Sequence, residues 1–170
     1  MEKYLKMLEL LICQDRKLGS LRQKTRTKPA IDARRMFCVL AAERLGHNNQ
    51  SYTTIGEYLG YNRNTVRHAI SKFKNMMYFK RLELLICQDR MLKDLQQKTK
   101  LRQVVEARWI FCLIAAEKLG HGNDTYKKIA EYLKCDRNTV RHSVKRGKDI
   151  MIYSDFRMSV NNIKNELWKQ

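Results

Sequence analysis

The sequence predicts an all-α fold: two tandem helix-turn-helix modules of about four helices each, followed by a C-terminal helix. Three observations point there. The nonapeptide LELLICQDR stands at Leu8 to Arg16 and again, letter for letter, at Leu82 to Arg90, an offset of 74 residues, and self-similarity at a fixed offset marks a duplicated unit. Apolar residues recur at helical spacing, beginning with Leu5, Leu8, Leu11, Ile12, Leu18 and Leu21. Only 7 Gly and 1 Pro occur in 170 residues, too few turn formers for a chain of short strands.

Held without a gap, the offset pairs Ala33 with Ala107, Ala41-Ala42-Glu43 with Ala115-Ala116-Glu117 and Leu45-Gly46-His47 with Leu119-Gly120-His121. It also pairs Arg63-Asn64-Thr65-Val66-Arg67-His68 with Arg137-Asn138-Thr139-Val140-Arg141-His142, and about half of all aligned positions are identical. Residues 1–78 and 79–152 are therefore expected to be two copies of one module, with 153–170 as a capping tail.

The first helix of each copy is expected to end near Lys24 or Lys98, where a polar basic stretch begins, QKTRTK in one and QKTKLRQ in the other. The lone Pro29 suits the first turn of the second helix, which runs to Leu45 or Leu119, with Gly46 and Gly120 placed for a left-handed helix end. Short third helices are predicted over Tyr52 to Leu59 and Tyr126 to Leu133. After a tight turn, Asn62 and Asp136 are good N-caps for the fourth helix, whose first copy should bury Val66, Ala69, Ile70, Phe73 and Met77. The third and fourth helices make the helix-turn-helix. Because SKFKNMMYFKRLELL holds no Pro or Gly, the modules are expected to share a nearly continuous, stiff helix. The tail places Phe156, Val160, Ile163 and Leu167 on one stripe after a cap at Ser154 or Asp155. It is expected to close the second module of a monomer; the alternative is an oligomerisation helix ending in Trp168, giving a homodimer.

Composition narrows the partner. With 35 Lys+Arg against 17 Asp+Glu the formal charge is +18, which calls for a polyanion. No stretch approaches the roughly 20 apolar residues of a membrane span, and MEKYLKMLELL has charges where a signal peptide needs a plain apolar core. A cytoplasmic, nucleoid-associated protein without a membrane partner is expected. Cys13 with Cys87, and Cys38 with Cys112, sit in apolar helical stripes and read as small core residues; no C-x-x-C or paired Cys/His spacing marks a metal. His47 and His121 follow the second helix at a turn and read as cap or surface groups. No nucleophile, base and orienter recur together, so neither an enzyme nor a cofactor is expected.

Together, KTRTKPAIDARRMFCVLAAERL and YTTIGEYLGYNRNTVRHAI resemble the C-terminal DNA-binding domain of the bacterial replication initiator DnaA, and the second copy resembles it too. The likeness rests on Ile55-Gly56, Thr65-Val66 and His68, then Ile129, Thr139-Val140 and His142, with the basic loop and the Ala-Arg helix start. It covers about three fifths of each repeat, and no phosphate-binding loop of the initiator's ATPase occurs. The family's Asp-His-Ser reads Asn62-Arg63-Asn64 in the first copy and Asp136-Arg137-Asn138 in the second, so the initiator's own target is not carried over. The resemblance implies a sequence-specific binder of double-stranded DNA, a regulator of transcription or replication from a host, phage or mobile element. A different class, a protein-interaction module or inhibitor that uses these folds as scaffold, is the alternative; an RNA binder lacks a stacking platform.

Candidate base readers lie on the outward face of the fourth helix: Arg63, Asn64, Thr65, Arg67, His68 and Ser71, and Arg137, Asn138, Thr139, Arg141, His142 and Lys145. Arginine pairs bidentately with guanine and asparagine with adenine, which favours Arg63, Asn64, Arg137 and Asn138. Asn62 and Asp136 read first as caps; only Asp136 keeps the family's aspartate, which can contact a base. Lys24, Arg26 and Lys28, with Lys98, Lys100 and Arg102, form the basic loops. The resemblance puts Lys28 and Arg102 where the family inserts a minor-groove arginine, a role that suits Arg102 better. Thr53, Thr54, Lys127 and Lys128 are expected at the start of the third helix, where backbone amides suit a phosphate. If both recognition helices enter one side of a duplex, their half-sites should lie about 10–10.5 bp apart or a multiple of it.

Overall fold

A computed structural model describes residues 1–97 and 99–169. Eight helices follow one another, with no strand among the described residues: α1 (Glu2–Arg16), α2 (Lys28–Leu45), α3 (Asn49–Leu59), α4 (Arg63–Asp89), α5 (Arg102–Leu119), α6 (Asn123–Leu133), α7 (Arg137–Ile150) and α8 (Ser154–Trp168). No described helix is long and apolar enough to cross a membrane. The chain divides into two compact units, Met1–Met76 and Met77–Gln170. The first part of α4 therefore belongs to one unit and its remainder, which aligns with α1, to the other.

The bounds of α2 and α5, and of α3 and α6, differ by the repeat offset at both ends, so the duplication is structural as well as textual. In the first unit Leu5, Ile12, Leu21, Phe37, Ile55, Leu59, Val66 and Ile70 close one core. In the second, Leu82, Ile86, Leu95, Phe111, Ile129, Val140 and Val144 do the same. Burying side chains of this size contributes about 1.5–3 kcal/mol each. A ring pair anchors each core: Phe37 stacks on Tyr58 with centroids 5.5 Å apart, and Phe111 on Tyr132 at 5.5 Å.

Four helix boundaries and faces differ from the sequence expectation. The first helix does not reach Lys24: it stops at Arg16, where Lys17 turns left-handed (φ 53°) and donates its N–H to the carbonyls of Cys13 and Gln14. The chain then folds back, so Leu18 and Leu21 join the core from a loop rather than a helical stripe; in the second unit α4 ends at Asp89 and Met91 takes φ 51°. The third helices begin three residues early, at Asn49 and Asn123, and Asn48 caps α3 through Oδ1, which accepts the Ser51 N–H at 2.8 Å. Met77 is exposed, while Ala69 and Phe73 are half-buried. Finally, α8 is preceded by Tyr153 without a side-chain cap, and Ser154 and Asp155 lie inside its first turn.

Other expectations hold. Pro29 sits in the first turn of α2. Gly46 and Gly120 are the exception: they end α2 and α5 not in the expected left-handed helical conformation but at φ 94° and 91° with ψ near 150°, an extended positive-φ conformation essentially reserved for glycine. Phe156, Val160, Ile163 and Leu167 of α8 are all buried in the second unit, so the stripe that an oligomerisation helix would present is already covered. Cys13, Cys38, Cys87 and Cys112 are buried thiols.

Candidate nucleic-acid interface

Each helix-turn-helix is shaped by one tight turn. In the first unit α3 ends at Gly60 in the left-handed region (φ 72°), and the Tyr61 N–H returns to the Gly56 carbonyl at 2.7 Å. A Cβ on Gly56 would lie 2.5 Å from the Tyr61 carbonyl oxygen, so the close approach requires glycine there. The second unit has Ala130 instead, and the corresponding bond from the Cys135 N–H is longer, 3.1 Å, with Lys134 taking the left-handed residue.

The turn delivers the fourth helix already capped. Asn62 Oδ1 accepts the Thr65 N–H at 2.8 Å and the Thr65 hydroxyl at 3.0 Å, and Asp136 Oδ1 accepts the Asn138 N–H at 2.7 Å. Each side-chain oxygen thus satisfies a helix-end amide; Asn62 keeps its NH2 donors. Val66 and Ile70, or Val140 and Val144, face the core. Arg63, Asn64, Thr65, Arg67, His68 and Ser71 are exposed, as are Arg137, Asn138, Thr139, Arg141, His142 and Lys145. Arg141 reaches the Asn123 side chain at 3.4 Å.

The basic loops are held by residues that sequence reasoning had not assigned. Arg34, on α2, donates from Nε to the Leu21 carbonyl at 2.9 Å and from Nη2 to the Gln23 and Thr25 carbonyls, both at 2.6 Å. Arg108 repeats this on α5, from Nε to the Leu95 carbonyl at 2.8 Å, from Nη1 to the Thr99 carbonyl at 3.2 Å and from Nη2 to the Gln97 carbonyl. A planar fork of donors suits this convergence of carbonyls. Their sequence signal was an Ala-Arg pair repeated at the offset, Ala33-Arg34 and Ala107-Arg108. Around these clamps Lys24, Arg26, Lys28 and Lys100 are exposed; Lys98 lies outside the described residues. Arg102 opens α5 and pairs with Glu106 at 2.7 Å in an exposed, readily exchanged ion pair.

A buried-edge carboxylate ties loop to helix-turn-helix. Glu9 accepts the Ser20 hydroxyl at 2.8 Å, the Leu21 N–H at 2.9 Å and the Tyr58 hydroxyl at 2.6 Å. Glu83 accepts the Leu95 N–H at 3.1 Å and the Tyr132 hydroxyl at 2.5 Å. Burial opposes the Glu9 charge, but the hydrogen bonds from Tyr58, Ser20 and Leu21 outweigh it and hold the carboxyl below its ordinary value. Burial and the same carboxylate push the Tyr58 phenol up. Arg22 lies 4.1 Å over the Tyr58 ring.

No family model, curated protein or solved structure matches the chain. Thr53 and Thr54 do not start α3: they lie a turn inside it, and their hydroxyls donate to the Asn49 and Gln50 carbonyls. Lys127 and Lys128 likewise lie inside α6, exposed. The helix-end amides are instead those after Asn48 and Gly122. There Ser51 and Thr125 are buried and donate to the Leu45 and Leu119 carbonyls at 2.8 and 3.2 Å, locking the start of each third helix to the end of the second. Among the described residues no group of three or more His, Cys, Asp or Glu could hold a metal ion. His47 and His121 sit beside the hydroxyls of Tyr52 and Tyr126 at 3.3 and 3.4 Å.

Proposed function

We propose that the chain is a sequence-specific double-stranded DNA-binding protein, reading bases from the start of α4 and from α7 and gripping phosphates with the clamped basic loops. One observation carries the reading. On α3 and α6 the exposed Thr53 and half-buried Thr54 have diverged to Lys127 and Lys128, whereas the exposed residues Arg63, Asn64, Thr65, Arg67 and His68 are identical in the second copy. Arginine and asparagine at the start of an outward helix face are the residues that bond base edges bidentately. The charge of +18 and the likeness to the initiator's DNA-binding domain support the same reading.

Two measurements test it. If about eight phosphates are neutralised, the log-log dependence of affinity on salt should have a slope near −7. Arg63→Ala or Arg137→Ala should cost roughly 1–3 kcal/mol on a preferred duplex and far less on random DNA, whereas Lys128→Ala should weaken both alike. Equal losses on both duplexes for the arginine variants would overturn base reading.

A further inference from the structure

One difference between the units lies after the helix that follows the tight turn: α7 ends at Ile150 and α8 follows, whereas α4 runs on unbroken to Asp89. The groove under α8 lies between the later part of α4 and α5. Ser159 donates to Asp89, Lys164 pairs with Glu117, and the Arg81 guanidinium donates to the Glu166 carbonyl at 3.3 Å. Beneath it Ile110 and Ile114 are fully buried and Leu85 is half-buried, in one core with Phe156, Val160, Ile163 and Leu167.

The same groove exists in the first unit between α1 and α2. Its walls are Met7, Leu11 and Asp15 on α1, spaced four residues apart on one helical face, and Met36, Leu40 and Glu43 on α2. At the repeat offset these match Arg81, Leu85, Asp89, Ile110, Ile114 and Glu117, and the α1 wall from Leu8 to Arg16 is letter for letter that of Leu82 to Arg90. Here the groove is open: Met7 is 55% exposed, Leu11 56% and Leu40 37%, against 0% for Ile114. Both acidic anchors, Asp15 and Glu43, remain and are exposed.

We infer that the groove between α1 and α2 is a docking site for an amphipathic helix of a partner protein with the chemistry of α8. Such a helix has apolar residues at the spacing of Phe156, Val160, Ile163 and Leu167, a basic residue facing Glu43 and a hydrogen-bond donor facing Asp15. The occupant is specified by the second unit, where the identical leucine-aspartate wall, the same two acidic anchors and an apolar facing wall hold a helix of that kind. Met7 stands where Arg81 receives the end of α8, so the partner helix ends on an apolar contact. This site is separate from the DNA-reading residues.

The test is binding of a fluorescent peptide of residues 154–168 to the full chain, followed by anisotropy. Saturable binding of one peptide per chain is expected. It should weaken at least about tenfold in Leu40→Glu and in Leu11→Glu, each verified as folded by circular dichroism. Peptide carrying Lys164→Glu should bind weakly to the natural chain and recover on Glu43→Lys. Three results would overturn the proposal: no saturable binding; binding indifferent to both leucine variants, which would mean exchange with the chain's own α8; or self-association abolished by Leu40→Glu, which would make the groove an interface between copies.

Discussion

Arg34→Lys should weaken DNA binding while leaving the net charge at +18. The arginine reaches three carbonyls of the basic loop, those of Leu21, Gln23 and Thr25. A lysine has a methylene where arginine has the Nε donor, so the bond to the Leu21 carbonyl is lost, and its single ammonium reaches only the outer carbonyls. The Leu21 bond is partly buried and the others are exposed. A hydrogen bond to a charged group contributes about 1.5–3 kcal/mol when shielded, and exposed bonds are replaced by water at little cost, so the loss is about 2 kcal/mol. If DNA binding needs the loop held, affinity falls by up to about thirtyfold, since 1.4 kcal/mol is tenfold. The salt slope should not change, because no phosphate-binding charge has been removed. Urea unfolding gives the stability term, and duplex titration at several salt concentrations gives the affinity and slope. An unchanged unfolding midpoint with unchanged affinity would refute the clamp. A shallower slope would show that Arg34 itself binds phosphate.

The remaining outcomes follow from the same contacts. Because the Glu9 carboxyl is held below its ordinary value, its stabilisation is complete above the unfolded carboxyl pKa and is lost as pH falls through the folded value. Glu9→Gln should therefore flatten the acid side of a stability-against-pH curve, and an unaltered acid limb would show that the carboxylate contributes nothing. Gly56→Ala should destabilise the first unit by about 1 kcal/mol in urea melts, since the turn must open as it has around Ala130; a stabilised variant would contradict the close approach. Burial pushes the Cys38 thiol up to about 12 and Cys87 to about 11, while Cys135 is half-buried. A thiol reagent at pH 8 should label Cys135 first in the folded chain, and early labelling of Cys38 would show that the core opens.

The fold class was readable because two signals needed no tertiary information: the exact repeat and the helical spacing of apolar residues. Asn62 and Asp136 announced the starts of α4 and α7 for the same local reason, a short polar side chain one residue before a helical stripe. Helix ends were misread where the stop signal was not local. Lys17 and Met91 are left-handed without being glycine, and what draws Leu21 and Leu95 inward is the carboxylate of Glu9 or Glu83, twelve residues earlier. Thr53 and Thr54 looked like a helix start because the true cap, Asn48, lay in a polar run with no apolar residue to set its phase. Of the candidate site, the outward face and the basic loops were legible. Arg34 and Arg108 were missed because an arginine that holds carbonyls looks, in sequence, like one that waits for phosphate.

Selection from random duplexes, followed by sequencing, tests the central claim most directly. The natural chain should enrich one motif with two related but unequal halves, because Asn62 becomes Asp136, Tyr61 becomes Cys135 and Ser71 becomes Lys145 between the copies. Information at one half should collapse in Arg63→Ala and at the other in Arg137→Ala. A pool with no enriched motif, at a salt concentration where the chain still binds DNA, would contradict sequence recognition and leave only attraction between a basic protein and a polyanion.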